Sequence, residues 1–179
     1  MSRNRRSLIL GAILLFLAAG AHAQFNPTGS TTLSVNVASE AAIQINTATT
    51  TLATAGSAFS SSYTGQTSFT YKIRTGKTSG TGSITLQVTS DFAAGGPSVA
   101  APASGDGLTY TCTVTSPGTA CAGSQTARTT GSTSVATFGA NARSVKAGNT
   151  GSVSWTLPND PAYSTGAYNA TVTFTISAA

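Results

Sequence analysis

Histidine is almost absent from this chain of 179 residues: the single copy is His22. Charged residues are also scarce, at 7% of the sequence, and only four of them are Asp or Glu. Residues 24–179 therefore have no imidazole for general base catalysis or metal binding, and few carboxylates to replace it. We expect no enzymatic activity, no metal site and no cofactor.

The few acidic residues each have a local structural explanation, because they border predicted loops, turns or strand breaks. They are Glu40, Asp91, Asp106 and Asp160. Two alternatives are a carboxylate pair acting in glycoside hydrolysis and a calcium site at Asp91 and Asp106. Neither aspartate belongs to an Asp-x-Asp run of the kind that binds calcium.

Long apolar runs are missing as well. The longest extends from Leu8 to Ala19, follows three arginines and precedes Ala21-His22-Ala23, a small-x-small cleavage site. This pattern predicts a secretory signal peptide over residues 1–23 and export of residues 24–179, through a periplasm to the cell surface or beyond. No second run reaches membrane-spanning length, so we expect no stable membrane insertion.

A dense basic stripe, which nucleic-acid binding requires, is also lacking. Residues 24–179 carry only six basic side chains: Lys72, Arg74, Lys77, Arg128, Arg143 and Lys146. Because the signal peptide supplies three further arginines, the basic character of the whole chain belongs partly to the export signal. We therefore expect no nucleic-acid partner.

Helical periodicity is absent, and apolar residues alternate instead. The clearest alternation lies in Phe69–Ile73, Ile84–Val88, Leu108–Val114, Val153–Leu157 and Tyr168–Ile176. With turn-forming residues between them, these segments predict about seven or eight short strands. The fold expected for residues 24–179 is a single antiparallel β-sandwich of immunoglobulin-like type rather than a closed barrel.

Near the start of this domain, apolar residues keep one alternating phase from Leu33 to Ile45. That length exceeds a usual strand of about five or six residues. The segment is either one strand broken near Ser39-Glu40 or two segments with separate functions that share a phase.

The sequence TGKTSGTG separates Phe69–Ile73 from Ile84–Val88 and predicts that they form a hairpin. This hairpin would carry a basic patch consisting of Lys72, Arg74 and Lys77. One interpretation is contact with an anionic polysaccharide or a lipid head group. The interpretation we favour is that charges on an exposed strand discourage edge-to-edge association.

Cys112 and Cys121 are the only cysteines. In an exported chain they predict a disulfide, which would stabilise the fold by about 2.7 kcal/mol according to the chain-entropy relation. The alternative is a redox pair, but such pairs have the closer Cys-x-x-Cys spacing.

The C-terminal stretch Gly166–Ile176, GAYNATVTFTI, has a Gly-x-Tyr followed by an alternating Thr-rich strand. It resembles the ending of spore-coat-protein-U-like and pilin-like secreted domains. Thr32–Val37, TLSVNV, is similar in kind to the N-terminal extension of these domains. The resemblance covers these two terminal stretches.

This resemblance implies an incomplete sandwich, whose groove and unpaired strand edge are filled by a neighbouring subunit through β-strand addition. Residues 24–38 would be the extension, with Leu33, Val35 and Val37 as the side chains that fill the groove. The groove would be bordered by Tyr168, Val172, Phe174 and Ile176. The competing interpretation is that residues 33–37 are the first strand of a complete monomeric sandwich.

We therefore expect a non-enzymatic structural or adhesive cell-surface protein, such as a fibre or coat subunit. Its partners would be further copies of itself, other surface subunits and a periplasmic chaperone. The alternative is a monomeric extracellular module that binds a glycan or a protein through Trp155 or the basic patch. Trp155 shares its face with Leu157, which favours a core position over an exposed sugar platform.

Overall fold

The computed structural model describes residues 28–56, 58–99 and 107–179. The predicted signal peptide, residues 1–23, lies outside these ranges, and so does Asp106. Within them the chain forms ten strands, all paired antiparallel, and no helix. The prediction of an all-β antiparallel sandwich is confirmed. No helix capable of crossing a membrane is found in the described part of the chain.

The strands vary from two to twelve residues in length. They are β1 (Glu40–Ile45), β2 (Ala53–Thr54), β3 (Tyr63–Arg74), β4 (Gly82–Ser90), β5 (Thr109–Val114), β6 (Thr119–Ala120), β7 (Gln125–Thr126), β8 (Thr133–Phe138), β9 (Asn149–Leu157) and β10 (Thr171–Ala178).

Two sheets divide these strands. The six-stranded sheet has the order β1-β3-β9-β5-β7, with β2 also pairing to β3, and the four-stranded sheet has the order β10-β4-β8-β6. At one lateral side, termed the open side, the outermost strands β1 and β10 are neighbours. At the other, termed the closed side, β5 and β7 lie beside β6 and β8.

The core between the sheets is made by the inward positions of the alternating strands. Phe69 and Tyr71 of β3 are almost completely buried, whereas Lys72 between Tyr71 and the next core residue is exposed. The ring centroids of Phe69 and Phe174 are 5.9 Å apart, and those of Tyr71 and Phe138 are 5.3 Å apart. Both aromatic pairs join one sheet to the other, because Phe174 and Phe138 belong to the four-stranded sheet.

The predicted hairpin between β3 and β4 is wrong. β3 pairs with β1, β2 and β9, while β4 pairs with β10 and β8. The connecting turn crosses from one sheet to the other: the Gly76 amide donates to the carbonyl of Ala179, next to the end of β10 (3.0 Å). A Cβ at Gly80 would lie 2.1 Å from the Gly76 nitrogen, so only glycine fits this tight crossing.

The first strand is shorter than the alternating phase of the sequence. β1 begins at Glu40, where the sequence predicted an interruption, and residues 28–39 form no strand. Residues 36–179 make up one compact unit. Residues 28–35 lie outside this unit and are exposed.

Candidate functional site

A cavity of about 1010 Å³ lies at the open side of the sandwich. Its lining comes from both sheets and includes Ile45 of β1, Val172 and Phe174 of β10 and Trp155 of β9. Ligand pockets in proteins usually have volumes of about 300–1,000 Å³. The cavity is therefore large enough for an organic ligand or for several side chains of another polypeptide.

The cavity is present because β1 covers only half of β3. β1 pairs with residues 69–74 of β3, and β2 pairs with residues 63–64. Residues 46–52, which connect β1 to β2, lie beside residues 65–68 but leave the regular ladder. Most of this connecting segment lines the cavity.

Hydroxyl groups hold the connecting segment in place of ladder hydrogen bonds. Thr50 Oγ1 lies 2.6 Å from Thr67 Oγ1, and Thr47 Oγ1 lies 2.8 Å from Ser68 Oγ. Trp155 Nε1 in turn donates to Thr67 Oγ1 at 2.9 Å. This chain of hydrogen bonds ties the rim of the cavity to its floor.

Trp155 forms part of that floor and is only 5% exposed. Its indole N–H is satisfied by Thr67, and its ring centroid lies 5.5 Å from that of Tyr110. The core position favoured by the sequence is the one observed, so Trp155 is not an exposed sugar platform.

The apolar wall on the other sheet is supplied by β10. This outermost strand is paired with β4 along its length, and its second edge is paired with no described strand. Val172, Phe174 and Ile176 point inward and are half-buried, alternating with exposed threonines. Val172 and Phe174 line the cavity, whereas Ile176 packs against the core farther along the strand.

Tyr168, the remaining predicted groove residue, lies just before β10 and also lines the cavity. Its hydroxyl donates to the carbonyl of Ser164 (2.9 Å). A Cβ at Gly96 would lie 2.4 Å from the Tyr168 ring, so this ring packs directly on the Gly96 backbone. The aromatic ring thus joins two loops at the end of the cavity.

Leu33, Val35 and Val37, the predicted donor residues, are strongly exposed at 91%, 86% and 60%. They carry no strand pairing within the described chain. Large apolar side chains alternating on an exposed segment are unusual on a protein surface unless a partner covers them. Residues 33–37 are not part of a strand in the described chain, and their two interpretations, as a donor extension or as a first strand, stay predictions.

The basic patch is located at the far end of β3 from the cavity. Lys72 and Lys77 are exposed, and Arg74 donates from Nη2 to Glu40 Oε2 at 3.0 Å. β3 is flanked by β1 on one side and β9 on the other. The interpretation that these charges protect an edge strand is therefore wrong, since β3 is an inner strand.

The predicted disulfide between Cys112 and Cys121 is present. Cys112 belongs to β5 of the six-stranded sheet, and Cys121 directly follows β6 of the four-stranded sheet. The bond therefore ties the two sheets together at the closed side. Near this bond, the Tyr110 hydroxyl of β5 also donates to the Ser134 carbonyl of β8 (2.8 Å), and burial raises the pKa of Tyr110.

The acidic residues have the local roles that the sequence suggested where the structure describes them. Asp91 accepts from the Val99 amide (2.9 Å) and from Ser98 Oγ (3.0 Å), which organises its loop. Asp160 accepts from the Ala162 amide at 2.7 Å. Among the described residues, no group of three or more His, Cys, Asp or Glu side chains could hold a metal ion.

Sequence reasoning missed two parts of these surfaces. The connecting segment 46–52 was not recognised as a cavity rim, although its run of threonines is unusual for a sharp turn. Arg143 and Asn141 lie beside Arg74, but their distance along the chain gave no signal of this proximity. Comparisons with protein-family models, curated proteins and solved structures find no match for this chain.

Proposed function

We propose that this protein is an exported, non-enzymatic structural subunit of the cell surface that assembles with copies of itself by β-strand addition. Residues 33–37 of one copy pair with the unpaired edge of β10 in the next copy. The observation that carries the proposal is the position of that edge beside the 1010 Å³ cavity. The exposed apolar segment of a second copy supplies the strand that would occupy this edge.

The geometry of strands explains the fit. A strand added to β10 would lie about 4.8 Å from it, with alternate side chains directed to the same face. Leu33, Val35 and Val37 would then all point into the cavity toward Val172 and Phe174. The polar residues between them would remain on the solvent side, as the exposed threonines of β10 do.

The expected free energies indicate that the contact needs backbone hydrogen bonds as well as burial of the three apolar side chains. Full burial of a Leu or Val side chain contributes about 1.5–3 kcal/mol. Three such anchors therefore contribute about 5–9 kcal/mol, against an association cost of about 4–15 kcal/mol. Ladder hydrogen bonds, at about 1 kcal/mol each, are needed to make the contact stable.

Head-to-tail contact of this type does not close on itself, and it therefore produces filaments. Before assembly, an exposed edge beside an apolar cavity is liable to pair with unrelated chains. A periplasmic chaperone that covers β10 during export is accordingly the partner we expect.

A second candidate function is a monomeric module that binds a glycan or a protein in the same cavity. The observation that favours it is the lining of the cavity, which includes Tyr63 and Tyr168 together with Asn159 and Asp160. Aromatic rings with a few polar groups are typical of ligand sites. Saturable glycan binding by a protein that stays monomeric at every concentration would support this candidate against assembly.

The test begins with the full chain exported to a periplasm and its mass measured by light scattering. Wild type should give multimers, and the triple variant L33S/V35S/V37S should be a folded monomer, because the three anchors are lost. The matched control T32A/S34A/N36A alters the same segment at the intervening polar positions. We expect this control to assemble like wild type.

A peptide with the sequence of residues 28–39 provides the complementary measurement. It should raise the melting temperature of the triple-serine variant, whereas a peptide carrying the same three serines should not. If wild type and triple-serine variant have the same mass over a range of concentrations, the assembly proposal is wrong.

A further inference from the structure

A second pocket, of about 400 Å³, lies at the end of the sandwich where β3 and β10 finish. Its lining is basic: it includes Arg74, Lys77 and Arg143, together with Asn141. The backbone segment from Val37 to Ser39 forms another wall. This pocket is separate from the cavity at the open side, since the two share no lining residue.

Two arginines face each other directly in this pocket. Arg74 and Arg143 form an antiparallel bridge, so their side chains leave the same face with Cβ atoms about 4.5–5.5 Å apart. Like charges in opposed positions destabilise a sheet. Such a pair becomes favourable when an anion lies between the two guanidinium groups.

The protein's own acidic side chains compensate the charge of the two arginines only in part. Glu40 pairs with Arg74 from the neighbouring strand, and this is the one ion pair found in the described chain. Glu40 is 77% exposed in its side chain, so its screening of the arginine is weak. Among the described residues, Lys77 and Arg143 form no ion pair.

Arg74 is nevertheless held in a fixed orientation. Its Nε donates to the Ala38 carbonyl at 2.7 Å, and its Nη2 donates to Glu40 at 3.0 Å. A guanidinium group has five N–H donors, so these two bonds do not use all the donors of Arg74. The same bonds fix the Ala38 wall of the pocket.

The size of the pocket leaves room for an anion that is attached to a larger group. A volume of about 400 Å³ falls within the range of pockets for organic ligands, about 300–1,000 Å³. A bare inorganic anion would fill a small part of it. The exposed Ser39 hydroxyl and Asn141 amide offer donors and acceptors for further polar groups, as sugar hydroxyls require.

We infer that this pocket binds an acidic sugar of an extracellular polysaccharide, with the sugar carboxylate between Arg74 and Arg143 and Lys77 nearby. Arginine is suited to this role because its planar fork matches a carboxylate. Asn141 and Ser39 contact the hydroxyl groups of the ring. The site is distinct from the receiving cavity at β10, although Val37 of the donor segment also belongs to its wall.

The experiment measures binding of a galacturonate oligomer to the full chain by calorimetry and by amide shifts in nuclear magnetic resonance spectra. A neutral galactose oligomer, inorganic phosphate and polyglutamate serve as comparison ligands. We expect saturable binding of the galacturonate oligomer, with shifts centred on Gly76, Lys77 and Asn141. The neutral sugar and phosphate should bind at least tenfold more weakly.

Glutamine variants inside and outside the pocket distinguish binding in the pocket from general attraction of the anionic ligand to the basic surface. R143Q and K77Q should each weaken galacturonate binding about tenfold, the factor that corresponds to about 1.4 kcal/mol. K72Q and K146Q remove the same charge outside the pocket lining and should weaken it less than twofold. N141D, which adds a negative charge at the rim, should also weaken it.

Several results would overturn the inference. Equal losses in all four glutamine variants would show non-specific attraction by the surface. Equal or tighter binding of phosphate would show an anion site that does not recognise a sugar, and tighter binding of polyglutamate would assign the pocket to an acidic peptide. Absence of saturable galacturonate binding would remove the site altogether.

Discussion

The closed and open sides of the sandwich bring the same two sheets together in different ways. At the closed side, the Cys112–Cys121 disulfide and the hydrogen bond from Tyr110 to the Ser134 carbonyl cross from one sheet to the other. At the open side, β1 stops half-way along β3, and a cavity lies between the connecting segment and β10.

The two sides of this domain meet two different requirements, which are folding stability and assembly. We expect the disulfide and the buried hydrogen bond at the closed side to contribute strongly to stability. The opposite side can then leave a strand edge and an apolar cavity unfilled without unfolding. In the proposed assembly, folding stability is concentrated away from the surface that receives the neighbour.

The largest expected effect compares Leu86 of β4 with Phe174 of β10, which lie opposite each other in the four-stranded sheet. Leu86 is 1% exposed, so L86A should lower the free energy of unfolding by about 3 kcal/mol. Phe174 is half-buried, and F174A should lower it by about 1.5 kcal/mol. Urea unfolding in the L33S/V35S/V37S background measures both values.

In assembly, we expect F174A to have the larger effect and L86A the smaller one. F174A removes a wall of the cavity and should abolish multimers, while L86A should still assemble at temperatures at which it is folded. Light scattering of both variants with the wild-type N-terminal segment provides the measurement. Normal multimers of F174A would exclude β10 as the receiving strand.

The second effect removes the covalent tie at the closed side. The double variant C112A/C121A should lose about 2.7 kcal/mol of unfolding free energy, because its unfolded chain regains the entropy of the open loop. The triple-serine variant at the N-terminal segment should change stability by less than about 0.5 kcal/mol, since its side chains are exposed. A similar loss in both would contradict the assignment of stability to the closed side.

The sequence predicted the strand faces well because alternation records which side chains are buried. The segments around Phe69, Leu86, Tyr110 and Trp155 are all strands with those residues inside. Alternation does not record which strand is the partner. For this reason β3 and β4, close in sequence and joined by a short turn, were predicted to pair and instead belong to different sheets.

Other features of the fold leave no signal in the local sequence. β2, β6 and β7 have two residues each, too few to show any alternation. The pairing of Arg74 with Arg143 depends on long-range topology. The cavity was predicted only through Val172 and Phe174 of β10 and Tyr168 just before it, because the departure of residues 46–52 from the ladder depends on tertiary packing.

The smallest expected effect concerns the second tie at the closed side, the Tyr110 hydroxyl. Y110F removes its hydrogen bonds to Ser134 and Thr133 and should cost about 1 kcal/mol at pH 7. Burial raises the pKa of Tyr110, so the folded state retains the phenol proton at pH values where the unfolded state releases it. The stabilisation by the neutral phenol is complete below about pH 10 and is lost as the pH rises through the folded-state pKa.

Urea unfolding of the triple-serine variant between pH 7 and pH 11, with and without Y110F, measures this contribution. Stability should fall above about pH 10 in both, because burial also raises the pKa of Tyr71, but the fall should be shallower in Y110F. Because Tyr110 links β5 to β8, we expect local opening at high pH to begin at the closed side. Hydrogen exchange of the amides there should accelerate at a lower pH than exchange in β10. Parallel alkaline slopes would show that ionisation of Tyr110 does not weaken the closed side, leaving the disulfide as the tie that distinguishes the two sides.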